Sequence, residues 1–140
     1  TDYCVINELE AQASTGVELR GESGELLTQN LPQALRQLKQ LGVSTWAVIH
    51  CPEGGYGVDE HGNYIETESV PVPKGYIKGT VGAGDAFCSG VLYGAYTGLP
   101  LAEAIELGNA AAACSLSESG ATEGMRTASE ALDLCREMRK

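Results

Sequence analysis

The chain has 140 residues, 43% of them hydrophobic and 20% charged, with a formal net charge of −10. That size and balance suit one soluble globular domain with a real core. The acidic field argues against nucleic acid or an anionic membrane as partner, and no apolar run is long enough to span a bilayer.

The charge is uneven. Residues 1–70 carry 3 basic and 11 acidic side chains, whereas residues 71–140 carry 6 and 8, so an anionic ligand meets less repulsion in the second half. Five cysteines (Cys4, Cys51, Cys88, Cys114, Cys135) are scattered without a C-x-x-C pair. They read as reduced core thiols of a cytoplasmic protein rather than as a zinc site or disulfide framework.

In chain order, an apolar run at 3–6 reads as a buried strand ending at Asn7, a good helix N-cap, and helix formers continue to Gly16. Asn30 is placed to cap a second helix, with Pro32 in its first turn. Leu31, Leu35, Leu38 and Leu41 recur there at helical spacing before Gly42. Residues 44–50 read as a strand, and His61-Gly62-Asn63 marks a hairpin turn. Residues 71–79 form a loop or extended crossing segment. A helical pattern then runs from Gly82 to Gly98, and an Ala-rich helix follows over 99–117. Thr127 and Glu130 stand in capping-box spacing before a last helix with a basic end. The order predicts a layered α/β architecture. Two core strands and a hairpin are few for a self-sufficient sheet. With no initiator Met, this implies a piece of a longer protein.

The chemistry concentrates in residues 79–90, GTVGAGDAFCSG. Gly82, Ala83 and Gly84 let the backbone turn sharply into a helix starting at about Asp85. The amides of the turn and of the helix N-terminus would then converge as an anion hole for a phosphoryl oxygen. On spacing alone two readings stand: Asp85 caps the helix, or Asp85 is a base beside the anion hole. Neither a G-x-x-x-x-G-K-[ST] loop nor a full dinucleotide fingerprint is present.

The same stretch resembles the signature of the ribokinase-like, PfkB-type carbohydrate kinases, D-T-x-G-A-G-D. The resemblance implies a ribokinase-like, Rossmann-like layered α/β fold that phosphorylates a sugar hydroxyl with ATP. It makes Asp85 the base, Gly82, Ala83 and Gly84 the anion hole, and Thr80 part of the nucleotide site. Gly79 departs from it, standing where the family has an Asp that helps hold a monovalent cation such as K⁺. By the family's spacing, carbonyls at Val81, Ser115 and Gly120 would border that cation.

Asn7 and Glu10 resemble the family's N-x-x-E motif and share a helix face, offering two oxygens toward Mg²⁺, largely through water. Asn7 is equally readable as a plain N-cap. Asn109 matches the family's Asn beside the adenine, and the helix through it is equally readable as alanine packing. Residues 48–58 fall where the family has T-L-G-x-x-G. Gly55 matches, while His50 and Pro52 replace the Thr and first Gly; the resemblance would have His50 line the ribose, and a strand-end His is equally readable as structural.

The resemblance covers residues 1–140 as a C-terminal nucleotide-binding and catalytic portion, without the N-terminal half and its lid. It implies a partial domain whose partners are the nucleotide, a small sugar and that missing half. ATP would lie across loops at 50–56, 79–84 and 109–120. A nucleoside or vitamin-like alcohol as acceptor, or a non-catalytic nucleotide-binding module, are the alternatives. A homodimer in the longer protein is also implied.

Overall fold

The computed structural model describes residues 1–140. They divide into two compact units, Thr1–Glu66 and Thr67–Lys140. No helix is long and apolar enough to cross a membrane. No disulfide joins the five cysteines.

A four-stranded sheet runs in the order β1 (Tyr3–Asn7), β2 (Trp46–Cys51), β3 (Gly54–Val58) and β4 (Tyr64–Glu68). β1 pairs parallel with β2, and β2 pairs antiparallel with β3. Trp46, Ala47, Val48 and Ile49 are all buried, so β2 is covered on both faces, which suits its continuous apolar run. The expected hairpin around His61–Asn63 is present: Asp59 Oδ1 accepts the amides of His61 and Asn63, both at 2.9 Å. A second hairpin, between β2 and β3, replaces the loop expected over 50–56 and leaves only Pro52 and Glu53 outside the strands.

Helices α1 (Glu8–Thr15) and α2 (Leu31–Gln40) complete the first unit. Leu31, Ala34, Leu35 and Leu38 form the buried stripe of α2 and pack with Ala11, Ala47, Ile49, Tyr56 and Val58. Two expectations for α2 change. Asn30 is already αR and makes no side-chain cap; a 3₁₀ turn at Thr28–Asn30 leads into the helix, and the Asn30 amide group instead donates to the Glu18 carbonyl at 2.8 Å. Leu41 lies beyond the last helical residue and is 68% exposed.

Between α1 and α2 the chain folds back at an isolated antiparallel bridge, Arg20 with Leu26. The Arg20 guanidinium donates to Glu8 Oε1 from Nε (3.1 Å) and Nη2 (2.7 Å), and to the two Glu53 oxygens from Nη1 (2.6 Å) and Nη2 (2.9 Å). Nη1 also reaches the Gly24 carbonyl at 3.2 Å. Five contacts employ all five N–H groups of the guanidinium. Hydrogen bonding to Arg20 pulls the Glu53 carboxyl down to about 2.

The second unit consists of α3 (Ala83–Tyr96), α4 (Leu101–Leu116) and α5 (Ala128–Met138) with their connections. α3 and α4 touch through small residues. A β-carbon on Gly90 would lie 2.8 Å from Gly108 Cα and from the Leu107 carbonyl oxygen, and one on Gly94 only 2.6 Å from Ala104 Cβ. α5 starts in the expected capping box of Thr127 and Glu130. It packs Ala131 and Cys135 against Ala110, Ala113 and Cys114. Arg139 then holds Glu106 through Nε at 3.0 Å and Nη2 at 3.1 Å, and donates to the Glu68 carbonyl at 2.6 Å.

In the intact protein, Gly90→Ala should cost about 1–3 kcal/mol by overpacking the α3–α4 seam, although Ala is the better helix former. Loss of the cap in Thr127→Ala should cost about 1 kcal/mol. Denaturant unfolding measures both, and a stabilised Gly90→Ala would contradict the seam. The depressed Glu53 carboxyl stabilises the fold above its ordinary value of 4.5, and this is lost as pH falls through about 2. Acid unfolding of Glu53→Gln should therefore depend less on pH across that window than unfolding of the parent; superimposable curves would refute the Arg20 contact.

Candidate active site

In the second unit, Gly82 is the N-cap of α3 and adopts the left-handed conformation, φ 82° and ψ −3°. A β-carbon there would also lie 2.9 Å from the Cβ and carbonyl oxygen of Ala121, so conformation and space both require glycine. The Ala83 amide turns back to the Thr80 carbonyl at 3.3 Å, and the first helical bond runs from Ala86 to the Gly82 carbonyl at 2.8 Å.

The helix thus begins at Ala83 rather than at about Asp85. Gly82 makes the whole turn by itself, which lets Ala83 and Gly84 take up helical geometry at once. The amides of Gly84 and Asp85, at the second and third helical positions, find no acceptor within the chain. They point out of a helix N-terminus, where partial positive charge gathers and an anion is favoured.

Asp85 does not cap α3. The N-terminus has no side-chain cap, and Asp85 lies inside the first turn with its side chain exposed. An ionised carboxylate is tolerated there by the helix dipole and left accessible to a proton donor. Its own carbonyl accepts the Ser89 hydroxyl at 2.8 Å, one turn on. A cavity of about 430 Å³ is lined by Ala86, Ser89, Gly90 and Tyr93 of α3, by Leu107 and Ala111 of α4, and by the start of α5. None of Gly82–Asp85 lines it; the lining begins at Ala86, one position after Asp85.

The remaining candidates of this unit differ in their surroundings. Thr80 and Val81 are exposed, and Thr80 uses its carbonyl on Ala83. Asn109 is buried in α4, where its amide nitrogen donates to the carbonyls of Thr67 (3.4 Å) and Glu68 (3.2 Å). Ser115 is 1% exposed; its hydroxyl has no partner, and its carbonyl accepts the Glu118 amide at 3.4 Å. Gly120 lies in the bends that follow α4. A β-carbon on Gly79 would come within 2.9 Å of Ser119 Cα and its carbonyl oxygen. No side chain fits there, so a carboxylate-held K⁺ does not suit these residues.

In the first unit the sheet aligns three candidates. His50 is the register partner of Asn7 across β1–β2 and of Gly55 across β2–β3, so all three occupy one row. Directly paired side chains emerge on the same face. Asn7 is indeed the N-cap of α1: its Oδ1 accepts the Glu10 amide at 2.8 Å, while Glu10 Oε2 accepts the Asn7 amide at 2.9 Å. The one side-chain oxygen of Asn7 and one of the two of Glu10 thereby accept hydrogen bonds at the helix start. Nowhere do three or more His, Cys, Asp or Glu side chains group closely enough to hold a metal. A divalent ion at Asn7 and Glu10 would rely on water and ligand oxygens. Next to His50, burial pushes the Cys51 thiol up to about 12, aided by Glu53, so it remains a protonated thiol at neutral pH.

Sequence reasoning missed the cluster of Glu8, Arg20 and Glu53, which adjoins this row at both ends: Glu8 follows Asn7, and Glu53 occupies the turn between His50 and Gly55. One signal was available. Arg20 is the lone basic residue among six acidic ones before Arg36.

Comparison with known proteins gives a consistent picture. The profile of the pfkB family carbohydrate kinases matches residues 1–128. The bifunctional protein HldE of Wolinella succinogenes is 31% identical over 114 residues, which is 81% of this chain and 22% of that protein. The 5-dehydro-2-deoxygluconokinase of Listeria monocytogenes is 33% identical over 83 residues, 59% of this chain and 25% of that one. Among solved structures, the Arabidopsis thaliana ribokinase complexed with ribose and ATP superposes with a TM-score of 0.80 at 23% identity, covering 96% of this chain and 41% of the ribokinase. The chain thus spans about a quarter of the curated relatives it matches and two-fifths of that ribokinase, whose fold it shares in part. On the match over residues 1–128, the chain belongs to the pfkB family of carbohydrate kinases.

Proposed function

We propose that the intact protein transfers the γ-phosphoryl group of ATP to a hydroxyl of a small sugar, and that residues 1–140 carry the phosphate-donor side and the base. The observation that carries this reading is the entry to α3. Two unpaired amides, Gly84 and Asp85, sit beside the exposed Asp85 carboxylate. A site that only bound phosphate would gain nothing from a carboxylate there, whereas phosphoryl transfer to an alcohol needs an acceptor for the departing proton.

Asp85 takes the proton from the sugar hydroxyl as its oxygen bonds to the γ-phosphorus and the bridge to the β-phosphate breaks, leaving ADP. The Gly84 and Asp85 amides, with Gly82 and Ala83 shaping the turn, steady the charge on the transferring group. Glu10, through its free Oε1, and Asn7, through the second lone pair of Oδ1, would hold a hydrated divalent ion by accepting from its waters. Mg²⁺, when bound, would supply positive charge against the phosphate oxygens. His50, Gly55, Thr80 and Asn109 are assigned to the nucleotide. Val81, Ser115 and Gly120 carry no cation role in this reading, because position 79 admits no carboxylate.

The sugar pocket and lid are assigned to a further, N-terminal portion of the protein, in keeping with the 41% of the ribokinase that this chain covers. Leu92, Tyr93 and Tyr96 of α3 are exposed apolar side chains, Tyr96 to 89%, and offer such a portion a surface to cover. The unbridged cysteines favour a cytoplasmic location, and a homodimer belongs to the longer protein. The blocked position 79 is the one observation favouring a second reading, a non-catalytic nucleotide-binding module.

With the intact protein, Asp85→Asn should lower kcat by about 10²–10⁴-fold, with ATP bound no more weakly. Turnover in a screen of sugars, nucleosides and vitamin-like alcohols, together with ATP·Mg²⁺ titration, checks this. Retained activity in Asp85→Asn would sink the catalytic assignment, and ATP binding by a parent protein inactive on every acceptor would favour the module.

A further inference from the structure

Arg20 is 17% exposed in its side chain and has all five N–H groups engaged, four contacts going to two carboxylates that lie 45 positions apart in the chain. Glu8 begins α1, immediately after Asn7. Glu53 occupies the two-residue turn that joins His50-Cys51 to Gly54-Gly55. The Leu19 and Arg20 amides are themselves held by Gln12 Oε1 of α1 at 2.9 and 3.4 Å, so the guanidinium is anchored through its backbone as well as its side chain. One cation therefore ties the N-terminus of α1 to the β2–β3 turn, the two places that flank the row Asn7–His50–Gly55.

From this arrangement we infer that Arg20 is a positioning residue for the nucleotide site: it holds the β2–β3 turn in place and offsets one of the two negative charges of Glu8 and Glu53 that would otherwise both act on a polyphosphate. The inference rests on the assignment of Asn7, His50 and Gly55 to the nucleotide under the proposed function. Both effects follow from one geometry. The planar fork sets the turn against the helix start, because a bidentate contact to Glu53 and a forked contact to Glu8 Oε1 leave little rotational freedom. The charge matters because residues 1–70 hold only two other basic side chains, Arg36 and Lys39, against 11 acidic ones. Lys39 is occupied elsewhere, donating to the carbonyls of Ser44 and Thr45. With Arg20 removed, Glu8 and Glu53 repel an incoming anion directly.

The test is ATP·Mg²⁺ affinity of the intact protein, by titration, with KM and kcat where turnover is found. Arg20→Ala should weaken ATP binding by about ten- to hundredfold, the scale of losing charge-assisted paired bonds, with kcat changed much less. Arg20→Lys keeps the charge without the fork and should recover part of the affinity. Added salt should improve ATP binding by Arg20→Ala through screening, and leave Arg20→Lys nearly unaffected. Glu53→Gln, which retains the cation, releases the turn without orphaning a charge and reads the positioning part even if Arg20→Ala fails to fold. Unchanged ATP affinity in both Arg20→Lys and Glu53→Gln, with only a lowered unfolding temperature, would reduce Arg20 to a structural tie and overturn the inference alone. A parent protein that binds no ATP would overturn the proposed function, and this inference with it.

Discussion

Two helix backbones can come into contact only where neither carries a side chain, and the second unit is built around that constraint at Gly90 and Gly108. The seam continues at Gly94 against Ala104 and leaves no space for a further methyl group at either place. Because α3 is seated this closely on α4, the direction in which its first turn points is fixed by packing two turns away. The unpaired amides of Gly84 and Asp85 thus inherit their aim from the close approach of two helix backbones. α4 in turn is held by α5, through the buried face of Ala131 and Cys135 and the grip of Arg139 on Glu106. Preorganised donors act only as well as the scaffold that stops them relaxing, and here the scaffold is mostly alanine and glycine.

The first unit reaches its order by the opposite means. Its candidate residues sit on a sheet whose register lines up Asn7, His50 and Gly55, but the element ends around them are tied by charge. Arg20 is mostly buried and fully engaged, and the strong depression of the Glu53 carboxyl reflects that engagement. Removing Arg20 is costly chiefly at Glu8, which loses its partner where its side chain is only 11% exposed.

Much of this was legible in the residues themselves. Asn7 and Thr127 carry the side chain and the spacing of a capping box, and both boxes form as written. GAGD was readable as a helix entry with an acid beside it. Its start was misplaced by two residues because one left-handed glycine suffices for a turn that three small residues seemed to share. The stretch CPEGG looks like a loop by composition, yet Gly54 and Gly55 are buried strand residues. Strand pairing with β2, a non-local influence, overrides weak local preference there. Asn30 has the right chemistry for a cap but the wrong backbone, since the 3₁₀ turn already holds it in the helical region. The Arg20 cluster had no chance of showing as a motif. Its partners lie 12 and 33 residues away, and no periodicity encodes that.

Gly79 gives the second unit an asymmetry in what substitution can reach. The Ser119 backbone has closed onto the bare Cα, so any side chain, whatever its chemistry, meets main-chain atoms first. Main chain yields less readily than a rotamer. Position 79 therefore accepts a carboxylate only together with a change in the 118–120 segment that moves it away, and neither step is of use without the other. The contact acts as a ratchet: the two positions must be altered as a pair, and a swap at 79 alone lowers stability before any gain in ion binding can be expressed.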